Sequence, residues 1–126
     1  MGKKKEKFKK FDTGKTRLGL VPPAAHRAIA DVLTYGANKY EPNNWCRGAE
    51  WSRYIDALER HMNAWKRGER DDPESGHPHL AHAGCCLYFL LEYELEGIGE
   101  DDRIFHDIEA NKKKRGRGRK RAPAKE

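Results

Sequence analysis

The feature that most constrains the fold is the segment from residue 78 to 97, which is apolar on nearly every side when it is drawn as a helix. It begins at Pro78 and continues through leucines, alanines, cysteines and aromatic residues. A helix that is apolar all round is normally buried by its neighbours. The sequence therefore predicts that this helix is the buried centre of a helical bundle.

Two helices are predicted before this central one. Pro22 and Pro23 suit a helix start, and apolar residues then recur at helical spacing as far as Tyr40, which predicts a first helix over 23–39. A second helix, over 51–67, is predicted by an apolar stripe along one face. The members of that stripe are Trp51, Tyr54, Ile55, Leu58, Met62 and Trp65.

A short fourth helix is predicted after the break at Gly97. Asp101 or Asp102 is a candidate for its N-cap, and we expect the helix to end near Ala110. Its predicted inner face consists of Ile104, Phe105 and Ile108. No strand signal of comparable strength is present, so the predicted fold class is all-α, a compact helical bundle of about four helices.

The net charge of +6 is distributed unevenly along the chain. Residues 1–10 carry +5 and residues 112–126 carry +8, which leaves −7 for the body between them. We expect an all-α domain over 11–111 between a disordered basic arm and a disordered basic tail, because charge runs without periodicity bury no core. The Arg-Gly-Arg core of the second tail resembles the AT-hook type of minor-groove binder, and it predicts non-specific contact with nucleic acid.

Composition limits the class of protein. At 126 residues the chain is predicted to form one domain. It has no apolar run of membrane-spanning length and no secretory segment, so we expect no membrane contact and a cytoplasmic location. The three cysteines, Cys46, Cys85 and Cys86, are too few and too badly spaced for a disulfide framework, and we expect reduced packing residues.

The strongest functional signal is the loop that leads into the central helix. It carries four carboxylates among Pro and Gly residues, and His79 and His82 follow on the first turn of the helix. The carboxylates are Glu69, Asp71, Asp72 and Glu74. Side chains of these types bind hard divalent cations or transfer protons. The alternative is a solvated loop beside hydrogen-bonded core histidines.

Spacing on the helices leaves other roles open. His61 lies at the edge of the apolar stripe, where a core role and a site role are both consistent with its position. Asp56 and Glu59 lie on one surface and could share a cation, although Glu59 could instead pair with Lys66 or Arg67. Zinc would accept His79, His82 and Cys86, but it needs a fourth ligand, and Cys86 lies two turns from His79.

Candidate substrate-binding residues surround the first helix. Lys39, Asn44 and Trp45 belong to a turn-rich loop that could stack on and hydrogen-bond a base, although Trp45 could equally fill the core. The Gly-Lys-Thr of residues 14–16 lacks the first glycine and the preceding strand of a phosphate loop, so a Walker site is not expected. Lys15 and Arg17 could still meet a phosphate as side chains.

Four motifs together resemble a known family. They are Arg17-Leu-Gly-Leu-Val-Pro-Pro, Gly36-Ala-Asn-Lys-Tyr with Asn44-Trp45, the 54–65 helix with its Arg60-His61 pair, and the run from Asp72-Pro-Glu-Ser-Gly to His79-Leu-Ala-His-Ala. Over roughly residues 14–95 the chain resembles the phage-type dATP/dGTP diphosphohydrolases, which are MazG-like all-α NTP pyrophosphohydrolases. The resemblance implies an enzyme, dependent on Mg²⁺ with Mn²⁺ as an alternative, that converts a purine (deoxy)nucleoside triphosphate, above all dGTP, to the monophosphate and pyrophosphate.

The resemblance also implies site residues, with one departure from the family pattern. Asp56-x-x-Glu59 stands for the first acidic pair, whereas His79-x-x-His82 occupies the place of the second. The expected metal ligands are therefore Glu59, Glu69, Asp72, Glu74 and His82. The expected catalytic residues are Glu74, His79 and His61. The expected substrate-binding residues are Arg17, Lys39, Asn44, Trp45 and Arg60.

Further expectations concern partners and rival functions. A homo-oligomer is expected, because the many aromatic residues suit pairing between helices. The first rival is a nucleic-acid-binding phage accessory protein that acts through its basic tails. The second is a metal-dependent hydrolase of another phosphate ester.

Overall fold

A computed structural model of the chain describes residues 6–116, and every described element is helical or irregular. Two short 3₁₀ turns, Leu18–Leu20 and Asn44–Arg47, accompany four α-helices. The α-helices are α1 (Pro23–Lys39), α2 (Trp51–Lys66), α3 (His79–Glu96) and α4 (Ile104–Gly116). The described residues contain no named strand, so the all-α prediction is confirmed, and the predicted bounds of the first three helices are correct to within one residue.

Helix α3 is the central element, as the sequence predicts, and it packs against both α1 and α2. The apolar core forms between α1 and α3 from Val32, Ala81 and Cys85. Four partly buried residues surround this core, namely Ala28, Ile29, Leu33 and Phe89. The bundle therefore has three packed helices, in which α3 contacts both of the others.

One face of α3 is not covered, so the prediction of burial on all sides is wrong there. Leu80, Leu87, Leu91 and Leu95 form this leucine face, and they are 47% to 68% exposed. Their spacing places them on one side of the helix. In the described chain α1 and α2 cover other sides of α3 and leave the leucine face free. Among the same residues, helix α4 makes no comparable contact with α3.

The segment after α3 binds the start of α2. The backbone N–H of Trp51 donates to the Glu100 carbonyl at 2.9 Å, and the Trp51 indole N–H donates to the Ile98 carbonyl at 3.0 Å. Asp102 accepts the backbone N–H of Ser52 at 2.9 Å and also accepts its hydroxyl. The first N–H groups of a helix lack partners within that helix. Asp102 therefore accepts an N–H of α2, and of the two residues predicted to cap the fourth helix it is the wrong one. Asp101 accepts the N–H of Arg103, just before α4, at 3.2 Å.

Helix α4 differs from its prediction in two further respects. It continues to Gly116, six residues past the predicted end, so the predicted basic tail begins inside the helix. Its predicted inner face is exposed, with Ile104 at 70%, Phe105 at 73% and Ile108 at 39%. The rest of the predicted tail, and residues 1–5 of the predicted N-terminal arm, lie outside the described residues.

The close approach at Gly99 provides a test of this segment. A Cβ at position 99 would lie 2.4 Å from the Ala49 carbonyl oxygen, and the φ of +79° is strained for any other residue. Gly99→Ala is expected to cost about 3 kcal/mol in the free energy of unfolding, because strain and a backbone clash add. Gly97→Ala is the matched control, since Gly97 also has a positive φ but open space around it, and it should cost about 1 kcal/mol. Urea unfolding monitored by circular dichroism measures both, and equal losses would contradict the clash.

The three cysteines are free thiols in different environments. Cys85 and Cys86 are buried, and burial raises the pKa of the Cys85 thiol to about 12 and that of Cys86 to about 11. Cys46 is exposed, so its prediction as a packing residue is wrong. None of the helices described is both long enough and apolar enough to cross a membrane.

Candidate active site

A cleft opens between the end of α1 and the face of α2, and α3 forms its floor. Its volume is about 810 Å³, within the range of small-molecule binding sites. One wall is formed by residues 32–45, which include the end of α1 and the loop that follows it. Asp72 and Glu74 reach the cleft from the acidic loop. The acidic loop and the first helix therefore meet at one site.

Two histidines and one carboxylate cluster inside this cleft. His61 of α2 and His82 of α3 stack with ring centroids 4.4 Å apart and planes 6° from parallel. Asp72 completes the cluster, and one candidate ligand atom from each of the three residues lies within 4.8 Å of the others. Among residues 6–116, this trio is the group of His, Cys, Asp or Glu side chains whose ligand atoms lie close enough together to hold one metal ion. The trio of His79, His82 and Cys86 considered for zinc is not such a cluster.

Hydrogen bonds within the acidic loop fix the position of Asp72. Its Oδ1 accepts the backbone N–H of Glu74 at 3.0 Å, and its backbone carbonyl accepts the N–H of Gly76 at 2.7 Å. The Asp72 N–H donates to the His77 carbonyl at 2.9 Å, which closes the loop. Asp72 is thus held in a tight turn, while its Oδ2 faces His82 Nε2 at 3.6 Å. Such turns are typical of Asp, whose short side chain bonds backbone two residues ahead.

A second chain of hydrogen bonds leads from the protein surface to His61. Glu69 Oε1 lies 2.6 Å from His79 Nε2, and His79 Nδ1 lies 3.0 Å from His61 Nδ1. An ionised carboxylate only accepts, so a neutral His79 imidazole donates from Nε2 and accepts at Nδ1. His61 must then donate from Nδ1. The Nε2 of His61 is left with a lone pair that can bind a cation or accept a proton.

Burial favours the neutral form of both stacked imidazoles. It lowers the pKa of His61, and the neighbouring His82 lowers it further. It also lowers the pKa of His82, against the opposing effect of Asp72. Neutral imidazole is the form that binds metals or acts as a base. His82 Nε2 is also within hydrogen-bonding distance of the Ser75 hydroxyl, at 2.7 Å.

An ion pair crosses the mouth of the cleft. The Lys39 ammonium, on the last residue of α1, donates to Glu74 Oε1 at 2.8 Å. Glu74 raises the pKa of Lys39 by this hydrogen bond and by its charge. Both side chains remain accessible, at 41% and 67% exposure, so solvent screens the pair. The pair is therefore weak enough to exchange partners with a charged ligand.

Trp45 fills the core, which is one of the two roles that the sequence left open; the other, contact with a base, stays a prediction. Its ring stacks on Phe89 with centroids 5.6 Å apart, and its backbone carbonyl accepts the Tyr93 hydroxyl at 2.6 Å. It also lines the cleft, next to the exposed Asn44. The aromatic core thus continues into the wall of the cleft at this residue.

The predicted site residues are divided between two places. Those that line the cleft are Lys39, Asn44, Trp45, Arg60, His61, Asp72, Glu74, His79 and His82. Glu59 and Glu69 lie instead beside a shallower depression against α2, which Arg60 also borders. Arg17 borders neither cavity. His79 reaches the cleft but is only 4% exposed, with both ring nitrogens in the hydrogen bonds described above.

Sequence reasoning missed three neighbours of His82. Ser75 is within hydrogen-bonding distance of it, and the rings of Tyr35 and His77 meet it edge-on at 6.4 Å and 6.3 Å. Tyr35 lies on α1, far from the acidic loop in sequence, so no spacing rule connects them. Ser75 and His77 flank Gly76, a few residues after Asp72 in the same loop. Their closeness in sequence to Asp72 could have predicted that they lie near the site.

Comparison with known proteins identifies the family of the chain. Residues 5–103 match the family described as "dATP/dGTP diphosphohydrolase, N-terminal". Over 94 residues the chain is 38% identical to a dATP/dGTP diphosphohydrolase of Salmonella phage PMBT28, which covers 75% of this chain and 32% of that relative. The chain thus spans about a third of the length of the curated relative that it matches. No solved structure matches the chain. The match over most of its length shows that the chain belongs to the family of dATP/dGTP diphosphohydrolase N-terminal regions.

Proposed function

We propose that the chain forms a nucleotide site that hydrolyses purine deoxynucleoside triphosphates, dGTP above all, to the monophosphate and pyrophosphate. The observation that carries the proposal is the cleft itself, where cationic and aromatic residues of one wall face a His/Asp cluster. Family membership and the similarity to a phage dATP/dGTP diphosphohydrolase support the reaction class.

The lining of the cleft suits both the base and the phosphates of a nucleotide. Trp45 and Asn44 offer a ring face and an amide for the purine. Lys39 and Arg60 offer cations for phosphate oxygens. Arg17 borders no cavity, so we assign it no contact.

The carboxylates of the cleft suit a cation that arrives with the substrate. Mg²⁺ in triphosphate enzymes is usually held by one or two carboxylates together with phosphate oxygens and water. Asp72 and Glu74 are the acidic-loop residues that fit this role, and Mn²⁺ is the alternative ion. When bound, the cation would neutralise charge on the phosphates. Glu59 and Glu69 lie outside the cleft, so we do not retain them as ligands.

Glu74 is our candidate general base. A triphosphate at the mouth of the cleft would compete with Glu74 for the Lys39 ammonium, since the ion pair between them is exposed. The released carboxylate could then take a proton from the attacking water. His79 is too buried for that role, and we assign it to positioning His61 through their hydrogen bond.

The test is a nucleotide screen on the purified chain. Each of the common nucleoside and deoxynucleoside triphosphates is supplied with Mg²⁺ or Mn²⁺, and release of pyrophosphate is scored against release of phosphate. We expect pyrophosphate and monophosphate from dGTP, and a smaller yield from dATP. Release of phosphate alone would favour a hydrolase of another phosphate ester, and no turnover of any triphosphate would contradict the proposal.

The expected homo-oligomer stays a prediction. The exposed leucine face of α3 supports it, since apolar rows of this kind often mark contacts between proteins. Light scattering on the wild type and on Leu87→Glu would measure the oligomeric state. A wild type that is monomeric at working concentration would contradict the prediction.

A further inference from the structure

We infer that His61, Asp72 and His82 form a resident binding site for a transition-metal cation, and that Mg²⁺ is not its preferred occupant. The inference deepens the proposed function by naming the class of cation held inside the cleft. Any role of that cation in catalysis rests on the proposed function. It differs from the expectation of Mg²⁺ alone, because that expectation came from an acidic ligand pattern from which this chain departs.

The first argument is the chemistry of the donor atoms. Mg²⁺ favours octahedral oxygen ligands, whereas imidazole nitrogen suits ions such as Fe²⁺, Co²⁺, Ni²⁺ and Zn²⁺. Two histidines and one carboxylate also leave coordination positions open for water or a phosphate oxygen. The three residues that cluster here supply that donor set.

The second argument is distance. One candidate ligand atom from each residue lies within 4.8 Å of the others. Metal–nitrogen bonds of about 2.1 Å place two donors of one ion roughly 3 Å apart. Binding therefore needs the donor atoms to approach one another by up to about 2 Å.

The third argument is that partners outside the cluster already hold two of the three ligands, His61 and Asp72, whereas His82 Nε2 would exchange the Ser75 hydroxyl for the cation. The chain from Glu69 through His79 leaves the Nε2 lone pair of His61 available. Asp72 is fixed by the turn that bonds its Oδ1 to the Glu74 N–H. Histidines that bind metals almost always use the other ring nitrogen in a hydrogen bond of this kind.

The three ligands come from three separate segments, which gives the site a structural readout. His61 lies on α2, Asp72 on the acidic loop and His82 on α3. A cation shared by all three would join these segments in the folded state alone. A ligand that binds only the folded state raises its stability with the logarithm of the ligand concentration relative to the dissociation constant.

The test uses the full chain without nucleotide, stripped of metal by a chelator. Co²⁺ is titrated by calorimetry and by its visible absorption, and Mg²⁺ is titrated in parallel. We expect one Co²⁺ per chain, bound at least about 100-fold more tightly than Mg²⁺, together with a rise in Tm. These wild-type measurements do not depend on whether any variant folds.

Variants then locate the site. His61→Asn and His82→Asn are each expected to weaken Co²⁺ binding by about 100-fold, and Glu69→Ala by about tenfold through loss of orientation. His26→Asn, an exposed histidine on α1 outside the cleft, should bind Co²⁺ as the wild type does. Circular dichroism establishes that each variant is folded.

Two results would overturn the inference. One is equal affinity for Mg²⁺ and Co²⁺, and the other is Co²⁺ binding that survives both His61→Asn and His82→Asn. Failure of the proposed function would look different. Tight Co²⁺ binding without turnover of any triphosphate would retain the site and remove the reaction, whereas Mg²⁺-supported turnover without Co²⁺ binding would retain the reaction and remove the site.

Discussion

Asp72→Asn is expected to reduce turnover of dGTP by about a thousandfold, because the substitution removes the one negative charge of the His/Asp cluster. The asparagine Oδ1 can still accept the Glu74 N–H, so the turn that shapes the acidic loop should persist. The loss would then reflect lost charge at the site and not a misfolded loop. Initial rates of pyrophosphate release at saturating nucleotide measure it.

Asp71→Asn is the matched control for this experiment. Asp71 is the preceding residue and undergoes the same chemical change, but it pairs with Arg70 and does not line the cleft. It should retain nearly full turnover. Equal rates for the two variants would show that the charge of Asp72 has no part in the reaction.

The second large effect concerns stability. Tyr93 is fully buried on α3, with its ring 5.7 Å from Tyr54 and its hydroxyl donating to the Trp45 carbonyl. Tyr93→Ala is expected to cost about 3–5 kcal/mol in the free energy of unfolding, since it removes an aromatic ring from a small core. Because Trp45 lines the cleft, the same change should also weaken nucleotide binding.

Tyr93→Phe separates the ring from the hydroxyl. It keeps the packing and removes one of the two donors to the Trp45 carbonyl, which still accepts the Gly48 N–H at 3.0 Å, so it should cost about 1 kcal/mol. Urea unfolding of the wild type and of both variants measures the loss of stability caused by each substitution. A loss for Tyr93→Phe as large as that for Tyr93→Ala would contradict the importance of ring packing.

Local periodicity was sufficient to predict α1, α2 and α3. Each of these helices has a strong apolar pattern and a proline or aromatic residue near its start, and such signals depend on neighbours three or four residues apart. The exposed leucine face of α3 was not predictable in this way, because the pattern shows that a face is apolar and not whether another element covers it. Asp102 was misassigned for a related reason, since its partner Ser52 lies 50 residues earlier.

The candidate site was predictable in part. The acidic loop and the histidines of α3 follow each other in sequence, so Asp72 and His82 could be grouped from spacing alone. His61 joined them only because α2 packs against α3, and Glu59 faces away because it is two residues from His61 on the same helix. Residues two apart on a helix do not share a face. The ligand geometry was therefore a product of helix packing.

Because the three thiols differ in burial, one cysteine of the natural sequence can be labelled selectively. Only a thiolate attacks an alkylating reagent, and the raised pKa values of Cys85 and Cys86 keep both protonated and slow at neutral pH. Cys46 is exposed and adjoins Trp45 at the edge of the cleft. A maleimide fluorophore should therefore attach at Cys46 selectively, without mutagenesis, where its emission would report nucleotide entry in real time.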